Sequence, residues 1–265
     1  MSVKRLAVLG HPVAHSRSPA MQNAALAALG MGEEWHYEAI DVAPEGFEER
    51  VRAMPGEGFV GANVTVPHKG AALALADKAS RTAQEIGAAN TLSYEDGAVL
   101  ADNTDAEGLL RAVPVSPAGL RALVLGAGGA ARAAVWALDQ VGAEVAVWNR
   151  TPQRARDLCL ELGGEPVDAP DARDYELVIN STAVGLAGED PFAALPLDHA
   201  AFVPGQIVVD MVYGAEPSEL LRAAEAAGAA TVDGIEILVQ QGALSLEIWT
   251  GHQPPLGTMR AAARK

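Results

Sequence analysis

The chain has 265 residues, of which 49% are hydrophobic, and its 34 Asp and Glu outweigh its 19 Lys and Arg to give a formal net charge of −15. This length and apolar content suffice for one large or two medium domains with buried cores. The negative charge argues against nucleic acid and anionic membranes as partners, because both carry charge of the same sign.

Three further features bound the class of protein. Cys159 is the only cysteine, so no internal disulfide can form, and its apolar neighbours indicate a buried structural thiol. The segment before the first predicted strand is too short for a secretory signal core, and no apolar run is long enough to span a membrane. The histidines are scattered without ligand spacing, so no metal site is expected. We therefore expect a soluble, cytoplasmic protein.

The first hundred residues predict an α/β domain. Apolar runs indicate strands over residues 3–9, 35–42 and 59–66. Helices are expected over residues 19–29, 44–54, 69–78 and 82–86. Ser18 before Pro19 predicts a helix N-cap, and Asp96-Gly97 between two apolar segments predicts a β-hairpin. A helix over residues 105–112 then leads towards a second domain, with the boundary near Thr104.

The second half begins with an apolar run, a glycine-rich turn and an Ala-rich helix, the order that a dinucleotide-binding βαβ unit requires. Gly126 and Gly128 form the turn and leave room for a pyrophosphate at the helix N-terminus, while Ala131 takes the third small position. The candidate cofactor residues of this turn are Gly126, Ala127, Gly128, Gly129 and Ala130. A glycine motif of this kind is by itself weak evidence for a cofactor site, because an ordinary tight turn can have the same glycine pattern.

The strand after this helix, residues 144–148, ends in a basic turn. An NAD site usually has Asp or Glu here for the ribose 2′-hydroxyl, whereas this chain has Arg150, Thr151 and Arg154 after Asn149. Each charge-assisted hydrogen bond to a phosphate contributes roughly 1.5–3 kcal/mol, which favours a cofactor with a 2′-phosphate. The sequence therefore predicts NADP. Three later apolar strands are predicted at residues 177–180, 207–210 and 229–232. Two final helices, at residues 235–249 and 258–265, complete the chain.

Polar residues follow several of the predicted strands, where ligands gather in α/β sheets. They are Ser16, Ser18, Asn63, Thr65, Lys69, Asn90 and Asp105. Most have an ordinary structural explanation, such as capping for Ser18 or turn formation for Asn90. Lys69 does not, because a cation at a helix start opposes the helix dipole and needs a partner. Asp105 is the natural candidate, and the two together could act as an acid/base pair beside a nicotinamide ring.

Six motifs occur in order along the chain: Ser16-Arg17-Ser18-Pro19, residues 63–69, 86–91, 103–108 and 126–132, and Asn149-Arg150-Thr151. Together they closely resemble the shikimate dehydrogenase family. The resemblance implies two α/β domains, an N-terminal substrate domain and a Rossmann-type doubly wound parallel sheet, with the C-terminal helices returning to the first domain. The expected domains are residues 1–104 with 236–265 for the substrate, and residues 105–235 for NADP.

The resemblance also implies an activity, the NADPH-dependent reduction of 3-dehydroshikimate to shikimate in aromatic amino-acid biosynthesis. Lys69 and Asp105 would be the catalytic pair. The implied substrate residues are Ser16, Ser18, Asn63, Thr65, Asn90, Tyr213 and Gln241, and Met211 and Gly234 would lie on the nicotinamide side. The expected partners are the small-molecule substrate and NADP, with the protein a monomer or homodimer.

The sequence departs from the family pattern at two places, and two alternative functions stay open. Residues 214–218 lack the Thr-Pro pair common in the family, and Glu236 stands where a small residue is common. A broader quinate/shikimate dehydrogenase is one alternative, although Ser16 and Ser18 and the basic cofactor turn argue against it. A non-catalytic NADP- or shikimate-binding sensor is the other, although it would not need the acid/base pair.

Overall fold

A computed structural model describes residues 3–186, 188–214 and 216–265 of the chain. Two compact units emerge, one formed by residues up to 108 together with 238–265, and the other by residues 109–237. These boundaries lie within a few residues of the predicted positions at 104 and 235, and Asp105 falls in the first unit.

Unit 1 contains a six-stranded mixed sheet. Its strands are β1 Lys4–Gly10, β2 Trp35–Asp41, β3 Phe59–Val64, β4 Lys78–Ala79, β5 Thr91–Glu95 and β6 Ala98–Asp102. Its first helices are α1 Ser18–Ala28, α2 Phe47–Ala53, α3 Lys69–Leu75, α4 Arg81–Ile86 and α5 Asp105–Ala112. The strand order is β2-β1-β3-β5-β6-β4. The pairs β1/β2 and β1/β3 are parallel, so the loops that follow β1 and β3 leave the same edge of the sheet.

The hairpin predicted at Asp96-Gly97 is confirmed. Strands β5 and β6 are antiparallel, and both turn residues have positive φ, 49° for Asp96 and 80° for Gly97. These angles are typical of a type I′ turn, whose twist matches that of the flanking strands. The hairpin places residue 90 directly before β5 and residue 102 at the end of β6.

Unit 2 is a doubly wound parallel sheet. Its strands are β7 Arg121–Leu125, β8 Glu144–Trp148, β9 Glu165–Pro166, β10 Leu177–Asn180, β11 Ile207–Asp210 and β12 Ala230–Asp233. Its helices are α6 Gly129–Gln140, α7 Pro152–Leu162, α8 Pro191–Ala194 and α9 Glu219–Ala226. The order β9-β8-β7-β10-β11-β12 is the 3-2-1-4-5-6 order of the Rossmann fold when β7 is counted as the first strand.

Successive side chains of β7 point to opposite faces of the sheet, and both faces are covered by apolar side chains. Ala122 and Val124 pack in one apolar cluster, whereas Leu123 and Leu125 pack in another on the opposite face. Cys159, on α7, belongs to the first cluster and is 8% exposed, and burial raises the pKa of its thiol to about 11. The expected structural role of this cysteine is confirmed.

The last helices are α10 Gly234–Thr250 and α11 Leu256–Ala263, and the unit boundaries fall within α5 and α10. From residue 238 onwards the chain packs in unit 1. Trp249 Nε1 donates to the carbonyl of Leu92 at 3.0 Å, and Gln22 Nε2 donates to that of Gly242 at 2.9 Å. The expected return of the C-terminal helices to the first domain is confirmed.

Candidate active site and cofactor site

Lys69 and Asp105 form an ion pair in unit 1. Lys69 Nζ donates to Asp105 Oδ2 at 2.6 Å, and the two side chains are only 13% and 16% exposed. Each residue is the first of its helix, α3 and α5. The partner that the unfavourable dipole position of Lys69 required is therefore Asp105.

Asn90 connects this pair to the C-terminal helix. Its Nδ2 lies 2.9 Å from Asp105 Oδ1 and 3.1 Å from Gln241 Oε1, so both oxygens of the Asp105 carboxylate accept a hydrogen bond. Its Oδ1 accepts from the backbone N–H of Thr104 at 2.7 Å. Asn90 is 2% exposed, which makes these contacts cooperative and costly to lose.

A second layer of buried polar groups lies beside Asn90, and two of its members, Tyr37 and Ser245, were not found from the sequence. Asn63 Nδ2 donates to Ser245 Oγ at 2.8 Å, and Tyr37 Oη donates to Asn63 Oδ1 at 2.8 Å. Ser245 Oγ also lies 2.8 Å from Thr91 Oγ1. Ser245 follows Gln241 by four residues and therefore shares its helix face, which was the available signal in the sequence.

His68 fixes the start of α3, and its role was also missed. The ring stacks on Phe47 with centroids 4.3 Å apart and planes 9° apart. His68 Nε2 lies 2.7 Å from the carbonyl oxygen of Val42, so this nitrogen carries the proton. Because His68 immediately precedes Lys69, these two contacts orient the lysine.

Ser16, Ser18 and Thr65 follow the neighbouring parallel strands β1 and β3. The backbone N–H of Thr65 donates to the carbonyl of Leu9 at 2.8 Å, which holds Thr65 beside the end of β1. The predicted N-cap at Ser18 is wrong, because α1 already begins at Ser18 and Arg17 occupies the cap position. The hydroxyl of Ser16 instead accepts from the backbone N–H of Ser18 at 3.3 Å.

The glycine-rich turn of unit 2 lies between β7 and α6. Gly126 has φ 118°, a conformation that L side chains rarely adopt, and a Cβ there would lie 2.8 Å from Ser181 Oγ. Gly128 is the N-cap of α6 and a Cβ there would meet nothing within 4 Å. The space beside Gly128 at the N-terminus of α6 is therefore open, as an anion site there requires. Ala127, Gly129 and Ala130 complete the turn, each partly exposed.

The basic turn follows β8. Arg150, Thr151 and Arg154 are exposed, and Asn149 Nδ2 donates to the carbonyl of Thr151 at 3.0 Å. In the part of the chain that the structure describes, neither Arg150 nor Arg154 is paired with a carboxylate. Two guanidinium groups that lack an acidic partner are suited to an anion.

Met211 and Gly234, the residues implied for the nicotinamide side, lie in contact. A Cβ at Gly234 would lie 2.4 Å from the carbonyl oxygen of Met211, so only glycine allows this approach. Tyr213 is half-buried two residues after Met211. Glu236, the departure from the family pattern, lies in the first turn of α10, where its N–H donates to Asp233 Oδ1 at 2.9 Å. Ala215, in the other departure, lies outside the described residues.

Three family models match the chain in order. They are described as the shikimate dehydrogenase substrate binding domain, over residues 8–92, shikimate / quinate 5-dehydrogenase, over residues 111–186, and the shikimate 5′-dehydrogenase C-terminal domain, over residues 234–264. The shikimate dehydrogenase (NADP(+)) of Thermus thermophilus is 46% identical over 263 residues, which cover 98% of both chains. The chain belongs to the shikimate dehydrogenase family. The shikimate dehydrogenase (NADP(+)) of Anaeromyxobacter dehalogenans is also 46% identical, over 96% of this chain and 94% of its own.

Solved structures of the shikimate dehydrogenase family have the same fold. The Thermus thermophilus enzyme, in complex with NADP(H) and shikimate, matches with a TM-score of 0.90 at 44% identity over 99% of each chain. The 5-ketofructose reductase of a Gluconobacter species matches with a TM-score of 0.87 at 30% identity, over 99% of this chain and 98% of its own. The fold therefore occurs in reductases with differently named substrates.

Among the described residues, no three His, Cys, Asp or Glu side chains group as a metal ion would need. Over the same residues, no helix has both the length and the apolar content to cross a membrane.

Proposed function

We propose that this protein is an oxidoreductase that reduces 3-dehydroshikimate to shikimate with NADPH, in aromatic amino-acid biosynthesis. The observation that carries the proposal is the Lys69–Asp105 pair, 2.6 Å apart, in a chain 46% identical to an NADP-dependent shikimate dehydrogenase. The ligands named for the Thermus structure, NADP(H) and shikimate, support the same cofactor and substrate. Unit 1 is the substrate domain and unit 2 the NADP domain.

Lys69 is the proton donor in this reaction. The reduced nicotinamide, when bound, supplies a hydride to the carbonyl carbon of the substrate. Lys69 Nζ gives a proton to the carbonyl oxygen, so that the C=O group becomes a secondary alcohol. Asp105 Oδ2 holds Nζ in place during this transfer, and Asn90 holds Asp105 through its other oxygen. In the reverse direction the same amine accepts the proton of the alcohol.

Some of the predicted substrate residues would contact the substrate, whereas one holds neighbouring side chains in place. Ser16, Ser18 and Thr65 lie at the same edge of the sheet, and we assign their hydroxyls to the substrate carboxylate and ring. Tyr213 and Gln241 complete the contacts. Asn63 is assigned to support instead of contact, because its Oδ1 and Nδ2 already bond to the side chains of Tyr37 and Ser245.

The residues of unit 2 fit NADP. The glycine turn leaves open space beside Gly128 at the N-terminus of α6, where a pyrophosphate would accept hydrogen bonds from the first N–H groups of the helix. Arg150 and Arg154 lack acidic partners among the described residues and would hold the 2′-phosphate, with Asn149 and Thr151 beside them. Met211 and Gly234 would line the nicotinamide end. Arg132, although close in sequence to the glycine turn, bonds to Glu161 at 2.6 Å.

One assay tests the proposal. Purified protein is given shikimate with NADP⁺ or NAD⁺, and the absorbance of the reduced nicotinamide is followed. We expect rapid reduction of NADP⁺ and slow reduction of NAD⁺. No reduction of either cofactor would indicate the non-catalytic sensor.

Quinate in the same assay tests the broader specificity that one family model's description includes. We expect shikimate to be strongly preferred, and comparable rates with quinate would contradict this. The expected oligomeric state, monomer or homodimer, and the expected cytoplasmic location stay predictions, which sedimentation and cell fractionation would test.

A further inference from the structure

Asp210 is a buried carboxylate with no role in the mechanism above. It is the last residue of β11 and is 2% exposed. Oδ1 accepts from Asn180 Nδ2 at 2.9 Å and from the N–H of Val212 at 3.1 Å, and Oδ2 accepts from Ser218 Oγ at 2.6 Å. Burial raises the pKa of Asp210, while these three donors lower it. A charge removed from water in this way is costly unless such donors hold it.

These donors tie both ends of one segment to a single side chain. Val212 is near the start of the segment that follows β11, and Ser218 is at its end. Ser218 Oγ also accepts from the N–H of Leu221 at 3.2 Å and so caps α9. Asp210 therefore fixes where the segment leaves the sheet and where it enters the next helix.

Asn180 extends the same cluster to the neighbouring strand. It is the last residue of β10 and is fully buried. Its Oδ1 accepts from the N–H of Thr182 at 3.1 Å and from Thr182 Oγ1 at 2.7 Å. The loops that follow β10 and β11 are thus held by one Asn180–Asp210 bond.

The position of this cluster in the sheet separates it from the glycine turn and the basic turn. In the Rossmann order, the glycine turn and the basic turn follow β7 and β8, whereas Asp210 and Asn180 end strands of the second mononucleotide-binding half. Met211 lies between two of the cluster's anchors. Its N–H donates to the carbonyl of Asn180 at 2.9 Å, and its own carbonyl lies against Gly234.

We propose that Asp210 is a positioning residue for the nicotinamide half of the cofactor, acting through the segment that begins at Met211. The inference rests on the proposed function, since it assigns the nicotinamide to this edge of the sheet. Because Asp210 is 2% exposed and both of its carboxylate oxygens already accept hydrogen bonds, its proposed role is indirect. Asp210 sets the position of the backbone and side chains that would touch the cofactor.

The test compares NADP⁺ with adenosine 2′,5′-bisphosphate, which lacks the nicotinamide half, by titration calorimetry on the full chain. For Asp210→Ala we expect NADP⁺ binding to weaken about tenfold and kcat to fall by a similar factor, whereas adenosine 2′,5′-bisphosphate binds within about twofold of the original protein. Rates with NADP⁺ and NAD⁺ should fall by the same factor, because the basic turn is unchanged. Asp210→Asn keeps the shape and two acceptor contacts, and should recover part of both losses.

Asp171→Ala is the matched control. Asp171 precedes β10, at the opposite edge of the same sheet, and accepts from the N–H of Arg173 at 3.0 Å. It should leave both affinities unchanged. If Asp210→Ala does not fold, Ser218→Ala, which removes the donor to Oδ2, should weaken NADP⁺ binding selectively.

Equal weakening of both ligands, or unchanged NADP⁺ binding in a folded Asp210 or Ser218 variant, would overturn the inference. Absence of shikimate oxidation by the original protein would overturn the proposed function instead, and the two failures are therefore distinguishable.

Discussion

Ser245 Oγ lies 2.8 Å from Asn63 Nδ2, although 182 residues separate the two in the chain. The contact joins α10 to β3 beside Asn90, whose carbonyl accepts from the same Asn63 Nδ2 at 3.2 Å. Since Asn63 also accepts from Tyr37, its amide connects three elements of unit 1. We expect a side chain in this position to contribute to stability.

Asn63→Ala should therefore lower the free energy of unfolding by about 1–3 kcal/mol, because it leaves the buried hydroxyls of Tyr37 and Ser245 without this partner. Urea unfolding measures the loss. Ser245→Ala, which removes one hydroxyl only, should cost about 0.5–1.5 kcal/mol. A raised KM for shikimate with unchanged stability in Asn63→Ala would show instead that Asn63 contacts the substrate directly.

Lys69→Ala should depress kcat about a hundredfold or more, while the KM for shikimate changes far less. The reason is that the ammonium group acts mainly in the transition state. Steady-state kinetics with saturating NADP⁺ measures both constants. Lys78→Ala, an exposed lysine of the same unit, should match the original protein. A higher KM with unchanged kcat would make Lys69 a binding residue.

Arg150→Ala combined with Arg154→Ala should weaken NADP⁺ binding selectively, since only NADP⁺ carries the 2′-phosphate. We expect a loss of about a hundredfold or more in kcat/KM for NADP⁺ from two charge-assisted contacts, and little change for NAD⁺. Arg156→Ala serves as the control, because Arg156 lies on the same helix 3.6 Å from Asp168. A parallel loss for both cofactors would contradict the 2′-phosphate assignment.

Acid should weaken unit 2 through Glu176. Hydrogen bonds from the guanidinium and backbone N–H of Arg121 lower the pKa of Glu176 to about 2. A depressed pKa in the folded state stabilises the protein above the ordinary glutamate pKa of 4.5, and that contribution is lost as the pH falls from there towards 2.

Urea unfolding at pH 7 and pH 3 measures this effect. Glu176→Gln should show a smaller difference between the two pH values than the original protein. Glu225→Gln, an exposed residue of α9, should show the original difference. An unchanged difference in Glu176→Gln would mean that the ion pair contributes nothing to folding.

Local sequence signals predicted most of the fold. The Asp96-Gly97 turn, the glycine turn before α6 and the apolar runs of β7, β10 and β11 each depend on neighbouring residues alone, and all were found. The two-residue strands β4 and β9 were not, because Lys78–Ala79 and Glu165–Pro166 lack any apolar pattern. They are strands only because a neighbouring strand pairs with them.

The Lys69–Asp105 pair was predicted because one of its residues occupies an unfavourable position in its helix. Lys69, a cation at a helix start, required a partner, and Asp105 is that partner. Ser245, Tyr37 and His68 give no such signal, because each fits its local structure and has its important contact far along the chain. The cap at Ser18 was mispredicted because the hydroxyl of Ser16 was available two residues earlier.

The two stretches that make up unit 1 are separated by the whole of unit 2. During synthesis, residues 109–237 leave the ribosome before Ser245 and Trp249 exist, so the second unit can fold while the first still lacks a helix. Until the final stretch of the chain emerges, Asn63 and the carbonyl of Leu92 stay without their partners on α10. A chain that stops at residue 237, before these partners on α10, should therefore bind cofactor without turning over substrate.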